Sequence, residues 1–281
     1  MAADLHCHTR LSDGSTSIEE LIFIAKKKGI STIAITDHDT FSGTKQAKNI
    51  GQQQGIEVIE GAEFSTFDYK RGRKAHILCY LCDHPERLEE ICTKTEQSRR
   101  EAGMKMIEKV STLYPISMGM VLKRAQESTN IFKQHIMHAL MDAGYATSVY
   151  GELFRTLFDS KTGIAYADAK YPDVYQVIQQ IHHAGGLAVL AHPGVYNSYE
   201  LLDELIEQKQ LDGVEVFHSR NREGDEERLK QIAKTARLVM TGGTDFHGMY
   251  ASHAYPLGTC TTPSEELKEL IKRKQEVRKN V

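Results

Sequence analysis

Thr32-Ile33-Ala34-Ile35-Thr36-Asp37-His38-Asp39 is a short apolar and β-branched run that ends in a polar cluster. Such a run is too short for a stable helix and reads as a strand buried on both faces, as in parallel sheets. Helix patterns flank it. Upstream, Ser17-Ile18-Glu19-Glu20 is a capping-box signature that opens a helix through Leu21, Ile22 and Ala25, stopping at Gly29. Downstream, a helix over 43–54 ends at Gly55, and Glu57-Val58-Ile59-Glu60-Gly61 forms the next strand. Residues 2–6 give a strand ahead of the loop through Asp13-Gly14-Ser15. Glu63 to Tyr69 and Lys74 to Leu81 read as two strands joined by the basic turn Lys70-Arg71-Gly72-Arg73.

From about 85 to 165 the texture is helical and charged, broken at Pro115, Gly144 and Gly163. Alternation then resumes: helix 172–184, strand Leu187–Ala191, helix 198–209, strand Gly213–Phe217, helix 222–235, strand Leu238–Thr241 and an amphipathic helix over 264–279. Strands centred near residues 4, 34, 58, 78, 189, 215 and 240 make seven βα units around a helical insertion. The pattern predicts an α/β fold with a parallel sheet closed into a barrel, its first part spanning 1–84, the insertion 85–168 and the second part 169–281.

The 281-residue chain is 40% apolar and 26% charged, which fits an ordinary globular protein with one large core. It has neither a run of eighteen apolar residues nor an apolar signal segment at the start, so a cytoplasmic protein with no membrane partner is expected. A net charge of −3 argues against long nucleic acid as a partner. Cys79-Tyr80-Leu81-Cys82 has CxxC spacing, but it lies in an apolar strand and no second CxxC exists; packed, reduced thiols are expected.

Thirteen histidines are the distinctive feature, and many stand at strand ends. In a parallel barrel the carboxyl ends of the strands converge on one mouth, where active sites form. His6 and His8 are two apart, so both imidazoles leave strand one on the same face and can grip one ion. His38 follows strand two, Glu63 follows strand three and His76 opens strand four, antiparallel to its neighbour if the hairpin forms. His192 follows strand five, Asp245 and His247 follow strand seven, and Asp13 stands in the first loop. Imidazoles with hard carboxylates suit manganese, iron, zinc or magnesium rather than soft thiolate metals. Ions sharing a carboxylate lower the pKa of water from ~15.7 towards ~7, enough for hydrolysis at neutral pH.

The constellation resembles the PHP (polymerase and histidinol phosphatase) family through Asp4-Leu5-His6-Cys7-His8-Thr9, Leu11-Ser12-Asp13-Gly14, Ile35-Thr36-Asp37-His38-Asp39, Gly61-Ala62-Glu63-Phe64-Ser65, His76-Ile77-Leu78, Ala191-His192-Pro193-Gly194 and Gly243-Thr244-Asp245-Phe246-His247-Gly248. The resemblance implies a distorted seven-stranded barrel and a metal-dependent phosphoesterase with three divalent ions, manganese foremost. Carried over position by position, His6, His8, Glu63 and Asp245 would hold the first ion. Glu63 would bridge to a second completed by His76 and His192, and Asp13, His38 and His247 would hold the third. The insertion is similar to that of stand-alone enzymes acting on nucleoside 3′,5′-bisphosphates or the 5′ ends of short RNA.

One phosphate would sit on the ions, so a second needs other cations. Arg99 and Arg100 on the insertion's first long helix, and Lys133 with His135, are the candidates; similar enzymes commonly carry Arg where Ala102 and Lys133 stand here. Lysine offers a point charge in place of a bidentate fork. His218, after strand six, is a candidate proton donor to the leaving oxygen, and His253 a further substrate contact. Asp37 and Asp39 read as groups that orient neighbouring ligands. The expected substrate is a small phosphorylated nucleotide, a nucleoside 3′,5′-bisphosphate losing its 3′-phosphate. Alternatives are a 5′-exonuclease on short oligoribonucleotides and a histidinol- or sugar-phosphate phosphatase. An amidohydrolase-type enzyme would bridge its metals from strand four and end in a lone Asp. A non-catalytic relative would have lost ligands.

Overall fold

The computed structural model describes residues 2–279. In chain order it runs β1 (Ala2–Cys7), α1 (Ile18–Lys27), β2 (Ile30–Ile35), α2 (Thr44–Gln54), β3 (Glu57–Asp68) and β4 (Arg73–Tyr80). The helices α3 (Glu89–Leu113), α4 (Met118–Arg124), α5 (Lys133–Asp142) and α6 (Glu152–Phe158) come next. The chain continues through α7 (Val174–His183), β5 (Leu187–Leu190), α8 (Pro193–Tyr196), α9 (Tyr199–Glu207), β6 (Gly213–His218), α10 (Asp225–Ala236), β7 (Val239–Gly243) and α11 (Ser264–Lys279).

The seven strands lie in sequence order in one sheet. Backbone bonds from His8 N–H to Phe246 O (2.8 Å) and from Phe246 N–H to His6 O (3.2 Å) bring its two ends together, giving a nearly closed barrel. The sheet is mixed. β3 pairs antiparallel with β4, and β4 antiparallel with β5, while the other joins are parallel. Seven uniform βα units therefore do not describe it: a tight turn at Lys70–Arg73, not a helix, follows β3. The strands expected at 57–61 and 63–69 are one continuous twelve-residue strand, because nothing between Gly61 and Glu63 breaks the extended backbone. The reversal of β4 has a consequence for the site. Its first half, not its last, lies at the mouth formed by the carboxyl ends of the parallel strands.

Ser17 caps α1, accepting from Glu20 N–H while the Glu20 side chain returns to the Ser17 N–H; such caps contribute about 1 kcal/mol. The insertion has its own apolar cluster, centred on Ile107, Ile136, Leu140 and Phe158. The barrel layers pack around Ile77, Leu190, Val214 and Leu202 on one side and Leu5, Ala34 and Val189 on another. All five cysteines are free, with Cys79 and Cys82 buried. Among the described residues no helix is long and apolar enough to cross a membrane.

Candidate metal centre and active site

Glu63 lies at the middle of the cluster. Its Oε1 lies 2.8 Å from both His76 Nδ1 and His192 Nε2. Its Oε2 lies 3.2 Å from both His6 Nε2 and His8 Nε2. One carboxylate thus faces two imidazole pairs, as a bridging ligand must. Asp245 Oδ1 closes the first group at 3.5 Å from His6 Nε2 and 3.2 Å from His8 Nε2. Asp13 Oδ1 lies 3.2 Å from His247 Nε2 and 3.9 Å from His38 Nε2. Ligand atoms lie within 4.8 Å of one another in each of four overlapping sets: His6, His8, Glu63, Asp245; His8, Asp13, His38, His247; His38, Glu63, His76; and His6, Glu215, His218. All nine predicted ligands are therefore brought together, His192 through its contact with Glu63.

The donor set fits divalent ions. His6 Nε2, both ring nitrogens of His8, Asp13 Oδ1 and His192 Nδ1 are buried and lack hydrogen-bond partners, and buried polar atoms are rarely left so without a ligand. Burial alone would raise the Glu63 carboxyl, yet the imidazoles of His76 and His6 hold it well below its usual range. Asp245 is likewise held low against burial by His247, His6 and Arg220. Burial pushes His192 down to about 4 and lowers His38, as suits rings that donate a lone pair, whereas against burial the surrounding carboxylates raise His6 well above its usual value and His8 to about 10. Bound divalent ions would supply Lewis acidity toward phosphoryl oxygens and lower the pKa of water.

Surrounding carboxylates fix this arrangement. Glu215, fully buried on β6, accepts from His6 Nδ1–H (2.8 Å) through Oε1 and from His192 N–H (2.9 Å) through Oε2. The first bond directs His6 Nε2 at the cluster. Asp37 accepts from Thr9 N–H (2.7 Å), Thr9 Oγ1–H (2.6 Å) and Ser12 Oγ–H (2.5 Å), which fastens the loop carrying Asp13. Asp4 accepts from Thr244 N–H (2.9 Å) and Gly258 N–H (2.8 Å), fastening the loop that carries Asp245. Asp39, His192 and Asp245 have φ of 56°, 28° and 55°, a left-handed backbone that costs energy for non-glycine residues and persists at sites the fold over-determines. Gly243 must be glycine because a Cβ there would meet the backbone of His6.

The cluster opens into a cavity of about 320 Å³ that residues of α3 and α5 also line. Arg99 and Lys133 line it. Arg99 Nε donates to Asp39 (3.2 Å), its second arm reaches Ser65, and its guanidinium lies 4.9 Å from the Phe132 ring centre. Other predicted contacts lie elsewhere. Arg100 is exposed and outside the cavity lining, because adjacent helical residues point some 100° apart. His135 is buried, its Nδ1 accepting from Phe132 N–H (3.2 Å), and it does not line the cavity. His253 is exposed, beside Ser252. His218 has both nitrogens engaged: Nδ1 accepts from Arg220 N–H (3.1 Å), so Nε2 carries the proton and faces Asp245 Oδ2 at 3.3 Å. It holds Asp245 and has no nitrogen left for a leaving group.

Four residues were not singled out from sequence. Glu215 was detectable as a carboxylate in the middle of the apolar strand Gly213–His218. Arg220 donates to Asp245 Oδ2 at 2.6 Å and lines the cavity. Tyr196 packs its ring 4.8 Å from His76. Gln134 Nε2 donates to Asp13 Oδ2 at 3.0 Å, tying α5 to the candidate metal ligands. No local signal marks the last three.

Comparison with known proteins agrees with this geometry. The PHP domain family model matches residues 4–189. A phosphoribosyl 1,2-cyclic phosphate 1,2-diphosphodiesterase of Eggerthella lenta is 36% identical over 89% of this chain and 95% of its own. A 5′-3′ exoribonuclease of Escherichia coli is 31% identical over 87% and 84%. The crystal structure of a protein from Bifidobacterium adolescentis, assigned as a metal-dependent phosphoesterase, superposes with a TM-score of 0.86 at 31% identity, covering 96% of each chain. The chain thus belongs to the PHP family and is a metal-dependent phosphoesterase.

Proposed function

We propose that the enzyme hydrolyses one phosphoester of a small ribose phosphate that carries a second phosphate. Three divalent ions, manganese foremost, would be held by His6, His8, Asp13, His38, Glu63, His76, His192, Asp245 and His247. One observation carries this reading: the metal-ligand cluster and the insertion cations Arg99 and Lys133 open into the same cavity of about 320 Å³. That volume lies at the lower end for small-molecule sites and suits one phosphorylated pentose or nucleotide better than an RNA chain. Arg220, beside Asp245, is placed to contact the reacting phosphate, and no separate protein nucleophile is needed. Five free thiols are in keeping with a reducing compartment such as the cytoplasm.

The first substrate reading is a nucleoside 3′,5′-bisphosphate losing its 3′-phosphate. The second, a phosphoribosyl compound with a cyclic phosphate, is favoured by the Eggerthella lenta relative. Elemental analysis of the manganese-loaded protein, with turnover measured on both compounds, on short oligoribonucleotides and on monophosphates, tests the proposal. Metal near three equivalents and a preference for one of the two-phosphate compounds are expected. Monophosphates cleaved as well as either one would overturn it.

A further inference from the structure

β4 carries one more charged side chain toward the mouth than the metal cluster uses. Lys74 stands two residues before His76, so strand periodicity sets both on one face, about 7 Å apart along the strand. Because β4 runs against its neighbours, the step from His76 to Lys74 leads outward from the cluster to the rim. Both residues line the cavity.

At that rim Lys74 joins the insertion's cations. Its ammonium lies 4.9 Å from the ring centre of Tyr171, and the Arg99 guanidinium lies 5.1 Å from the same ring. Lys133 Nζ lies 4.6 Å from the Tyr166 ring centre and donates to Phe158 O at 3.1 Å. Arg99 has a carboxylate partner in Asp39. Neither Lys74 nor Lys133 is in an ion pair among the described residues. Lys133 is held to about 8, first by burial and then by the charge of Lys74, with Arg99 adding to it and Asp168 opposing. Like charges gathered at the wall of a cavity repel, and an anion between them would relieve that repulsion. Ala102, facing the same space, adds no charge.

We propose that Lys74 is a specificity residue that, with Lys133, holds the non-reacting phosphate of the substrate. β4 acts as a ruler. His76 marks the reacting phosphate and Lys74 marks the second, separated by about one ribose. This rests on the two-phosphate reading above and adds the residue that enforces it.

The test measures kcat/KM of the manganese-loaded enzyme on two substrate pairs. One is a nucleoside 3′,5′-bisphosphate and its 3′-monophosphate; the other is phosphoribosyl 1,2-cyclic phosphate and the same compound without its 5′-phosphate. The quantity read is the preference for the compound that carries the 5′-phosphate. Lys74→Met is expected to cut that preference about 10- to 100-fold, chiefly through KM, as loss of a charge-assisted hydrogen bond does. Lys74→Arg should retain most of it, and Lys74→Glu should abolish it. Metal content and melting temperature of each variant show that the site is intact. If Lys74→Met lost metal, the Arg and Glu pair would still decide. A wild-type preference that all three variants keep within twofold overturns the role of Lys74 alone. A wild type with no preference for either two-phosphate compound overturns the substrate reading and this inference with it.

Discussion

Glu215→Gln is the substitution that most directly tests how the cluster is built. The buried carboxylate accepts from two donors at once, His6 Nδ1–H at 2.8 Å and His192 N–H at 2.9 Å. Glutamine is nearly isosteric, so packing around the fully buried side chain is preserved. An amide, however, has one acceptor oxygen and one donor nitrogen. In either orientation its NH2 group faces one of the two donors. If it faces the peptide, an unsatisfied buried N–H costs about 1–3 kcal/mol of stability. If it faces His6, the ring is driven to the tautomer that puts its proton on Nε2, the atom pointed at Glu63 and Asp245. Removing such an outer partner costs about 10- to 100-fold in metal affinity, or about 1.4–2.8 kcal/mol. The assay is manganese affinity by chelator competition, with bound metal counted by elemental analysis and folding followed by thermal melting. Wild-type affinity within twofold, in a protein that melts normally, would refute the claim that Glu215 sets the His6 tautomer.

Asp245→Ala removes a carboxylate shared by His6, His8, His218 and Arg220; turnover should vanish and bound metal should drop by at least one equivalent, and near-normal activity would contradict the site assignment. Lys133, held to about 8, is charged below that pH and neutral above it, so KM for a two-phosphate substrate should rise as pH passes through about 8. Lys133→Arg should move that rise to higher pH, which steady-state kinetics between pH 6.5 and 9.5 would show. Because this pKa is depressed below the unfolded value of about 10.4, stability contributed by Lys133 increases with pH between about 8 and 10. Arg99→Ala should raise KM at least tenfold, through loss of the contacts to Asp39 and Ser65 as well as charge, whereas Arg100→Ala should stay within twofold. Gly243→Ala should lower both the melting temperature and metal affinity, since a Cβ there pushes on the strand that carries His6.

Alternation of short apolar runs with helix patterns is a local signal, and the barrel's elements were legible from it except the four-residue α8 and the continuity of β3. His6 and His8 were readable as a pair because a strand's period is two, and the other candidate ligands because polar residues at the ends of buried runs have few places to go but the mouth. The reversal into β4, which carries His76 and Lys74 to the mouth, was legible too, from the basic turn Lys70–Arg73 between two strand patterns. Two things were decided only in three dimensions. Which insertion side chains face the cavity depends on how α3 and α5 dock, so Arg99 lines it and Arg100 does not, while Gln134 reaches Asp13 and His135 turns inward. The setting of His218 follows from packing as well, since Arg220 N–H and Asp245, brought together by separate loops, face its two nitrogens. Residue type and period reach only as far as neighbours along the chain; contacts between β6, the insertion and the loop after β7 follow from packing, which no single segment encodes.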